Sequence, residues 1–509
     1  MDSSANESTT PGPDPIMSNI CLSCRNLSDK HSLPPVSGCA CCDIIERARG
    51  LLENCLSSHS ECEMLISPPL PSRVLDVGEA GDASDPFLYV PNDPSQDQGS
   101  YVALSYSWGE ETGSFVMTTN SNIHKRRAGI PLSSLPTTLR EAVYITRRLN
   151  IRYLWIDALC IIQGCEDDWA SNAAKMYEIY GNAVITIAAA SAKSCTEGVL
   201  KPRLFKNWNV ASGLDVDYEP INHRAWTLQE RLLARRFLSF GTDYMTWQCQ
   251  TQTIIHSEDR YYRPLTSDLR FYHMTQGLKN PSARWETIIL DYTARYITHE
   301  NDKLPALSGI AKMIQSRTGD QYLSGLWRNN ILRQLCWRTG PFFLKYIDFE
   351  KPKDYRAPSW SWASIDGNIS FPSDIAKFKA AFVDCTVQPL FANDPFGQVK
   401  SGTLVLEGRL KQFEVRWEIG RIPALFEPEE RSCVGYIFLD TLLFWNAPEE
   451  IRAEWREMKP WCLQMTAGIS LLLLHVKEHG SDSFQRVGIA HGEREDWFQG
   501  TPRRIVSII

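Results

Sequence analysis

The chain has 509 residues, enough for roughly two to four domains with cores of their own. Hydrophobic residues make up 43% and charged residues 22%, which excludes an intrinsically disordered chain and predicts a globular, soluble one. The formal net charge of −7 argues against a broad basic surface for nucleic acid, and no apolar run is long enough for a membrane span.

The first 19 residues are polar and rich in proline and serine, which predicts a disordered N-terminus. Residues 1–14 lack the apolar core of a signal peptide, so we expect a cytoplasmic protein. In that reducing compartment the 15 cysteines should be thiols or metal ligands rather than disulfides.

A cysteine-dense segment opens the next region, residues 20–98. Cys21 and Cys24 form one CxxC pair, and Cys39 and Cys42 form a second. Two such pairs suit a tetrahedral zinc ion, because each pair presents two sulfurs to one metal. The sequence therefore predicts a structural zinc site. The alternative, which the spacing leaves open, is a set of ordinary thiols.

A weaker metal-like pattern follows on a helix predicted over residues 43–58. Cys55, His59 and Cys62 are spaced Cys-x3-His-x2-Cys. After them, residues 65–100 are rich in Pro, Asp, Gly and Ser, which is typical of a linker, and one short strand is predicted over 73–77.

The core begins near residue 99 with the stretch 101–109, YVALSYSWG. Apolar and small residues on both faces predict a strand buried in a parallel sheet. Gly109 ends the stretch at a turn, which puts Ser105 and Trp108 at the carboxyl end of the strand. Ligands bind at that edge in open α/β sheets.

Helices and strands then alternate along the chain. Thr138 and Glu141 form a predicted capping box that opens a helix. The alternation predicts right-handed crossovers and a mostly parallel sheet flanked by helices. The predicted elements are a helix over 138–149, a strand over 153–162, a helix from 167 or 168, a strand over 184–190, a helix over 224–236 and a strand over 237–240.

The rest of the chain divides by pattern. Residues 281–340 have helical spacing, with Pro305 in the first turn of one helix, and short strands predominate after residue 403. This predicts a helical middle region and a β-rich C-terminal region. The predicted domains are a disordered 1–19, a cysteine-rich 20–98, an α/β core at 99–250, a helical 251–350 and a β-rich 351–509.

Three stretches of this core resemble the motifs of the fungal heterokaryon incompatibility (HET) domain family. Residues 103–109 are ALSYSWG, residues 154–163 are LWIDALCIIQ, and residues 224–230 are RAWTLQE. They occur in the family's order, and Ile162 stands where the family more often has Asp or Asn. The resemblance implies a role in non-self recognition and in the cell death that follows fusion of incompatible fungal cells.

The order of elements also resembles a TIR-type, flavodoxin-like domain. In catalytic TIR domains the helix after the third strand carries a glutamate needed to cleave NAD, and Trp226 and Glu230 fall at that place. This resemblance implies NAD as a substrate and Glu230 as the catalytic carboxylate. Leu233 and Ala234 follow on the same helix, which suggests a sheltered carboxylate rather than a paired surface one. A surface or capping glutamate is the alternative.

Asp157 interrupts the apolar stretch 154–162. A carboxylate inside a core costs several kcal/mol unless it is paired or hydrogen-bonded, so we expect Asp157 at a strand end facing a crevice. It either contacts a ligand or holds a neighbouring loop. Cys160, in the same stretch, is predicted to be a buried thiol.

The remaining candidates for ligand contact are Ser105, Tyr106, Trp108 and Trp226. Ser105 lacks the G-x-S-x-G surroundings of a hydrolase nucleophile, so we expect it to donate a hydrogen bond to a ligand. Tyr106 or Trp108 would stack on a base, with core packing as the alternative. Trp226 would shield Glu230 from water.

Three hypotheses remain for the function. The first is a signalling enzyme that acts on a nicotinamide dinucleotide. The second is a non-enzymatic death effector or scaffold that assembles with itself or with an unknown protein partner. The third is a zinc-stabilised regulatory protein whose N-terminal segment binds a partner. The sequence contains no P-loop and no repeat array.

Overall fold

The computed structural model describes residues 40–62, 67–93, 97–109, 116–201, 219–242, 244–256, 261–262, 281–339, 351–373, 375, 377–416, 424–426, 433–441, 459–476, 482–492 and 496–509. These residues fall into two compact units. The first unit comprises the described residues within 1–169, 178–222 and 233–268, and the second comprises those within 170–177, 223–232 and 269–509.

The helices within the described residues are α1 Ala40–Ser58, α2 Ile123–Ala128, α3 Thr137–Arg148, α4 Asp157–Cys160, α5 Glu166–Ala173, α6 Met176–Asn182, α7 Ala225–Leu233, α8 Pro281–Thr293, α9 Pro305–Thr318 and α10 Ile331–Gln334. None of the described helices is both long and apolar enough to cross a bilayer.

The strands are β1 Val74–Asp76, β2 Phe87–Tyr89, β3 Tyr101–Ser105, β4 Tyr153–Trp155, β5 Ile185–Ala188, β6 Arg236–Phe240, β7 Met245–Cys249, β8 Thr253–His256, β9 Tyr261–Tyr262, β10 Tyr322–Leu323, β11 Leu326–Trp327, β12 Arg338–Thr339, β13 Ile369–Ser370, β14 Ala381–Pro389, β15 Val399–Gln412, β16 Glu414–Arg416, β17 Ala424–Phe426, β18 Cys433–Leu439, β19 Trp461–Gln464, β20 Ile469–His475, β21 Ser483–His491 and β22 Arg503–Ile508.

The first unit is built on a nine-stranded sheet with the order β2-β1-β4-β3-β5-β6-β7-β8-β9. Its centre, β4-β3-β5-β6, is parallel, while β1, β2 and β7 to β9 pair antiparallel. Every residue of β3 and β5 is buried, as expected for strands covered on both faces. The predicted α/β core is confirmed, but the prediction of a mostly parallel sheet is wrong: three strand pairs at the centre are parallel, and the five pairs towards the two edges are antiparallel.

The predicted strand over 153–162 is wrong beyond Trp155. The chain leaves the sheet at Ile156, and Asp157 begins the one-turn helix α4. Asp157 causes this change, because its Oδ1 accepts a hydrogen bond from the backbone N–H of Ala158 at 2.7 Å. A short polar side chain that bonds nearby backbone favours a turn over a ladder.

The predicted capping box on α3 is also wrong. The helix begins at Thr137 after Pro136, and no side chain caps its first turn. Glu141 instead lies buried and accepts hydrogen bonds from the backbone N–H groups of Val199 and Leu200. Burial raises the pKa of Glu141, and those two hydrogen bonds lower it in part. Glu141 therefore holds a later loop rather than its own helix.

In the second unit, the helical prediction over 281–340 is confirmed for α8 and α9, but in the described residues of that range after Thr318 only the one-turn helix α10 and one short 3-10 turn are helical. Pro305 occupies the first turn of α9, as predicted, and Gly319 ends this helix in the left-handed conformation with φ of 68°. A hairpin, β10–β11, follows. The indole N–H groups of Trp285 and Trp362 both donate to the carbonyl of Gly325 in this hairpin, at 2.8 and 2.9 Å.

The C-terminal part of the second unit is β-rich, as predicted. Strands β15, β19, β20, β21 and β22 pair in turn, and β22 pairs back to β15, so the five strands close into a ring. Arg486 of β21 is fully buried there, bonds Asp440 at 3.0 Å and stacks on Trp337 at 3.4 Å from its ring centroid. A buried guanidinium needs such a carboxylate partner.

Candidate functional site

Two of the three sequence motifs meet at one edge of the first sheet. β3 and β4 are adjacent and parallel, with Ala103 opposite Trp155. Ser105 is the last residue of β3, and Asp157 lies two residues after the end of β4. This confirms the expectation that Ser105 and Asp157 lie at the carboxyl edge of adjacent parallel strands.

Trp108 and Asp157 are in direct contact at this edge. The indole N–H of Trp108 donates to Oδ2 of Asp157 at 2.8 Å, while Oδ1 accepts from Ala158. Gly109 makes the turn after Trp108 with φ of +96°, and a Cβ there would lie 2.7 Å from the hydroxyl of Ser194. Only glycine fits this turn without displacing its neighbour.

Ser105 is the one residue with an aliphatic hydroxyl in the fully buried strand β3. It is 1% exposed, and its hydroxyl has no hydrogen-bond partner within the described part of the chain. Buried hydroxyls usually have a partner, so this atom retains the capacity to bond a ligand. Tyr106 is also buried, at 3% exposure, whereas Trp108 is partly exposed. Trp108 is therefore the better of the two for stacking on a base.

The third motif forms α7, whose residues 225–232 belong to the second unit. Glu230 is partly buried on this helix. The indole N–H of Trp226 donates to Oδ2 of Asp302 at 2.8 Å. Burial raises the pKa of Asp302, and the hydrogen bond from Trp226 lowers it in part. Asp302 has no motif around it in the sequence, which is why sequence reasoning missed it.

Gln229 fixes α7 within the second unit. Its Oε1 accepts hydrogen bonds from the backbone N–H groups of Gly309 and Ile310, at 2.7 and 3.3 Å. These donors lie inside α9, so the motif side chain joins two helices. The sequence did not predict this role, because in the Leu-Gln-Glu part of the motif only Glu230 had a predicted function.

The comparisons with known proteins fall on the same stretch. The family model described as heterokaryon incompatibility protein (HET) matches residues 101–230, from the first residue of β3 to Glu230. Residues 101–230 are therefore similar to a HET domain. The chain is 33% identical over 125 residues to heterokaryon incompatibility protein 6, OR allele, of Neurospora crassa. That match covers 23% of this chain but only 18% of the relative. No solved structure matches the chain.

Cys160 lies in the second of the three motifs, residues 154–163, and is fully buried. Burial raises the pKa of its thiol to about 12. The prediction of a buried thiol is confirmed, although Cys160 lies in α4 rather than in a strand. A thiol that holds its proton at neutral pH is a poor nucleophile.

The predicted zinc ligands Cys21, Cys24 and Cys39 lie outside the described residues, and so does the side chain of Cys42. The structure forms another cluster, outside the matched residues 101–230, which we call the thiol–imidazole cluster. It consists of Cys55, His59, Cys62 and Cys249. The sequence showed the first three as a weak pattern and gave no reason to add Cys249.

Proposed function

We propose that this protein acts in fungal heterokaryon incompatibility, in the cytoplasm, and that its HET domain takes part in non-self recognition and the resulting cell death. The observation that carries this proposal is the family match over 101–230, which contains all three motifs. The name of the Neurospora crassa relative supports the same role.

The chemistry we propose is TIR-like cleavage of NAD between nicotinamide and ribose. That bond breaks through a cation-like sugar centre, as in glycoside hydrolysis. A carboxylate beside the ribose stabilises this centre, and Glu230 is our candidate. Support comes from its partly buried position and from its neighbours, since Gln229 and Trp226 are both held by hydrogen bonds. A fixed carboxylate requires less reorganisation in the transition state.

Ser105, Tyr106 and Trp108 are the proposed ligand contacts of the first unit, with Asp157 positioning Trp108, and Trp226 is proposed to shield Glu230 on α7. The partnerless hydroxyl of Ser105 supports a hydrogen bond to the dinucleotide, and the partly exposed ring of Trp108 supports stacking on a base. On this proposal Asp157 acts through Trp108, because its oxygens already accept two hydrogen bonds within the domain.

The test is free nicotinamide released from NAD by the purified full-length chain. Glu230→Gln keeps the shape of the side chain and removes its charge, so release should fall by roughly 100-fold or more. Glu300→Gln is the matched control, because Glu300 is an exposed glutamate of the same unit. Equal release from Glu230→Gln and wild type would remove Glu230 from the mechanism.

A second candidate function is a non-enzymatic death effector or scaffold that assembles with itself or another protein. The observation that favours it is the internal use of motif side chains: Trp108 bonds Asp157, and Trp226 bonds Asp302. Motif residues used in this way maintain the fold of a domain. If the wild type releases no nicotinamide while Glu230→Gln still kills fused cells, the scaffold replaces the enzyme.

A further inference from the structure

Four metal-ligand atoms converge in the first unit, outside the matched HET region. They belong to Cys55 on α1, to His59 just after it, to Cys62 in the 3-10 turn Ser60–Cys62, and to Cys249 at the end of β7. All four atoms lie within 4.8 Å of one another. The three cysteines are buried and His59 is partly exposed.

The distances agree with a tetrahedral zinc centre. Nδ1 of His59 is 3.5 Å from the sulfur of Cys249 and 3.8 Å from that of Cys62. Zinc bonds of about 2.3 Å to sulfur and about 2.0 Å to nitrogen, at a tetrahedral angle, place those ligand atoms about 3.5 Å apart. The cysteines are free thiols rather than disulfide partners.

Local structure explains why the ligands converge. Cys55 and His59 are four residues apart, and the backbone N–H of His59 bonds the carbonyl of Cys55, so one helical turn aligns their side chains. The next turn closes with a hydrogen bond from Cys62 N–H to His59 C=O at 3.0 Å. Since α1 packs against β7, the fourth ligand comes from the end of that strand.

The surroundings match the charge of a bound ion. Three thiolates, a neutral imidazole and Zn²⁺ carry a net charge of −1. Arg236 is 1% exposed and donates from Nε to the sulfur of Cys55 at 3.1 Å and from Nη2 to the carbonyl of Cys62 at 2.7 Å. Its positive charge balances the centre. The hydroxyl of Thr251 lies 3.5 Å from the sulfur of Cys62, as expected of a group that orients a metal ligand.

We propose that Cys55, His59, Cys62 and Cys249 bind one zinc ion, which joins α1 to the end of β7. Soft thiolate ligands with one imidazole in a four-coordinate set favour zinc over the harder divalent ions. The zinc would connect a helix that precedes the HET domain to a strand that follows it.

The first test is the zinc content of the purified full-length protein. Cys62→Ser/Cys249→Ser should hold about one zinc per chain less than wild type, because structural zinc needs all four ligands. Cys165→Ser/Cys433→Ser is the matched control, since both cysteines are free thiols outside the cluster, and its zinc should equal that of wild type. Equal zinc in wild type and the cluster variant would overturn the proposal.

The second test remains informative if the double variant does not fold. His59 is partly exposed, so His59→Ala should leave the fold intact. It should lower the affinity for zinc, measured in competition with a chelator, by at least about 100-fold. His59→Cys completes a four-sulfur set and should restore tight binding. Unchanged affinity in His59→Ala would overturn the proposal, as would a disulfide between two of the cluster cysteines in freshly purified wild type.

Discussion

The sheet-edge pair Trp108–Asp157 and the thiol–imidazole cluster lie in the same unit but satisfy their polar atoms in different ways. At the sheet edge a donor meets an acceptor, and both oxygens of Asp157 accept hydrogen bonds from the domain itself. In the cluster, three sulfurs and an imidazole face one another with Arg236 at their side. In the sheet-edge pair, the donor and the acceptor satisfy each other's hydrogen-bonding capacity. In the cluster, four electron-pair donors lie together, and a bound cation would satisfy all of them.

Arg236 should give the largest effect, because it supports the cluster. Arg236→Met leaves the sulfur of Cys55 and the carbonyls of Cys62 and Val184 without this donor, so the free energy of unfolding should fall by about 3 kcal/mol. The comparison is Arg235→Met, whose side chain is partly buried and donates to the carbonyl of Gly181. Urea unfolding that shows equal losses for the two variants would contradict a special role for Arg236.

The sheet-edge pair should give an intermediate effect. A double-mutant cycle with Trp108→Phe and Asp157→Ala isolates the hydrogen bond between them, because each substitution removes one of its two partners. We expect a coupling free energy of about 1–2 kcal/mol, since the acceptor is charged and Trp108 is partly exposed. If the two single losses simply add, the bond does not hold the edge together.

The smallest effect concerns His491, which lies in a strand of the second unit and is not part of the thiol–imidazole cluster. His491 lies 5.4 Å edge-on from Phe438, and burial, with a smaller contribution from Arg338, lowers its pKa to about 4. Between pH 6.5 and 4 the unfolded chain therefore binds more protons, and stability falls as the pH falls. The loss from pH 7 to 5 should be on the order of 1 kcal/mol, reduced because the ring is partly exposed.

His491→Gln should reduce this pH dependence. The matched control is His475→Gln, because His475 is exposed and lies 5.5 Å edge-on from Phe484 in the same sheet. Thermal unfolding of both variants at pH 7 and pH 5 makes the comparison. If stability depends on pH as strongly in His491→Gln as in wild type, groups other than His491 cause that dependence.

Sequence reasoning succeeded where structure depends on contiguous residues. The buried strands β3 and β5 have uninterrupted apolar or small residues, and the edge where Ser105 and Asp157 lie follows from parallel pairing. The end of β4 was wrong because one side chain, Asp157, begins a turn inside an apolar run. Partners far along the chain were also missed. Asp302 is 76 residues from Trp226, and Cys249 is 190 residues from His59, so tertiary packing alone unites them.

Zinc K-edge X-ray absorption on the full-length protein tests most directly whether tertiary packing, rather than CxxC spacing, builds the metal centre. The thiol–imidazole cluster predicts three sulfur neighbours at about 2.3 Å and one nitrogen neighbour at about 2.0–2.1 Å. In His59→Cys the nitrogen should be replaced by a fourth sulfur. A four-sulfur shell already present in wild type and unchanged by Cys62→Ser/Cys249→Ser would contradict the account and assign the zinc to Cys21, Cys24, Cys39 and Cys42.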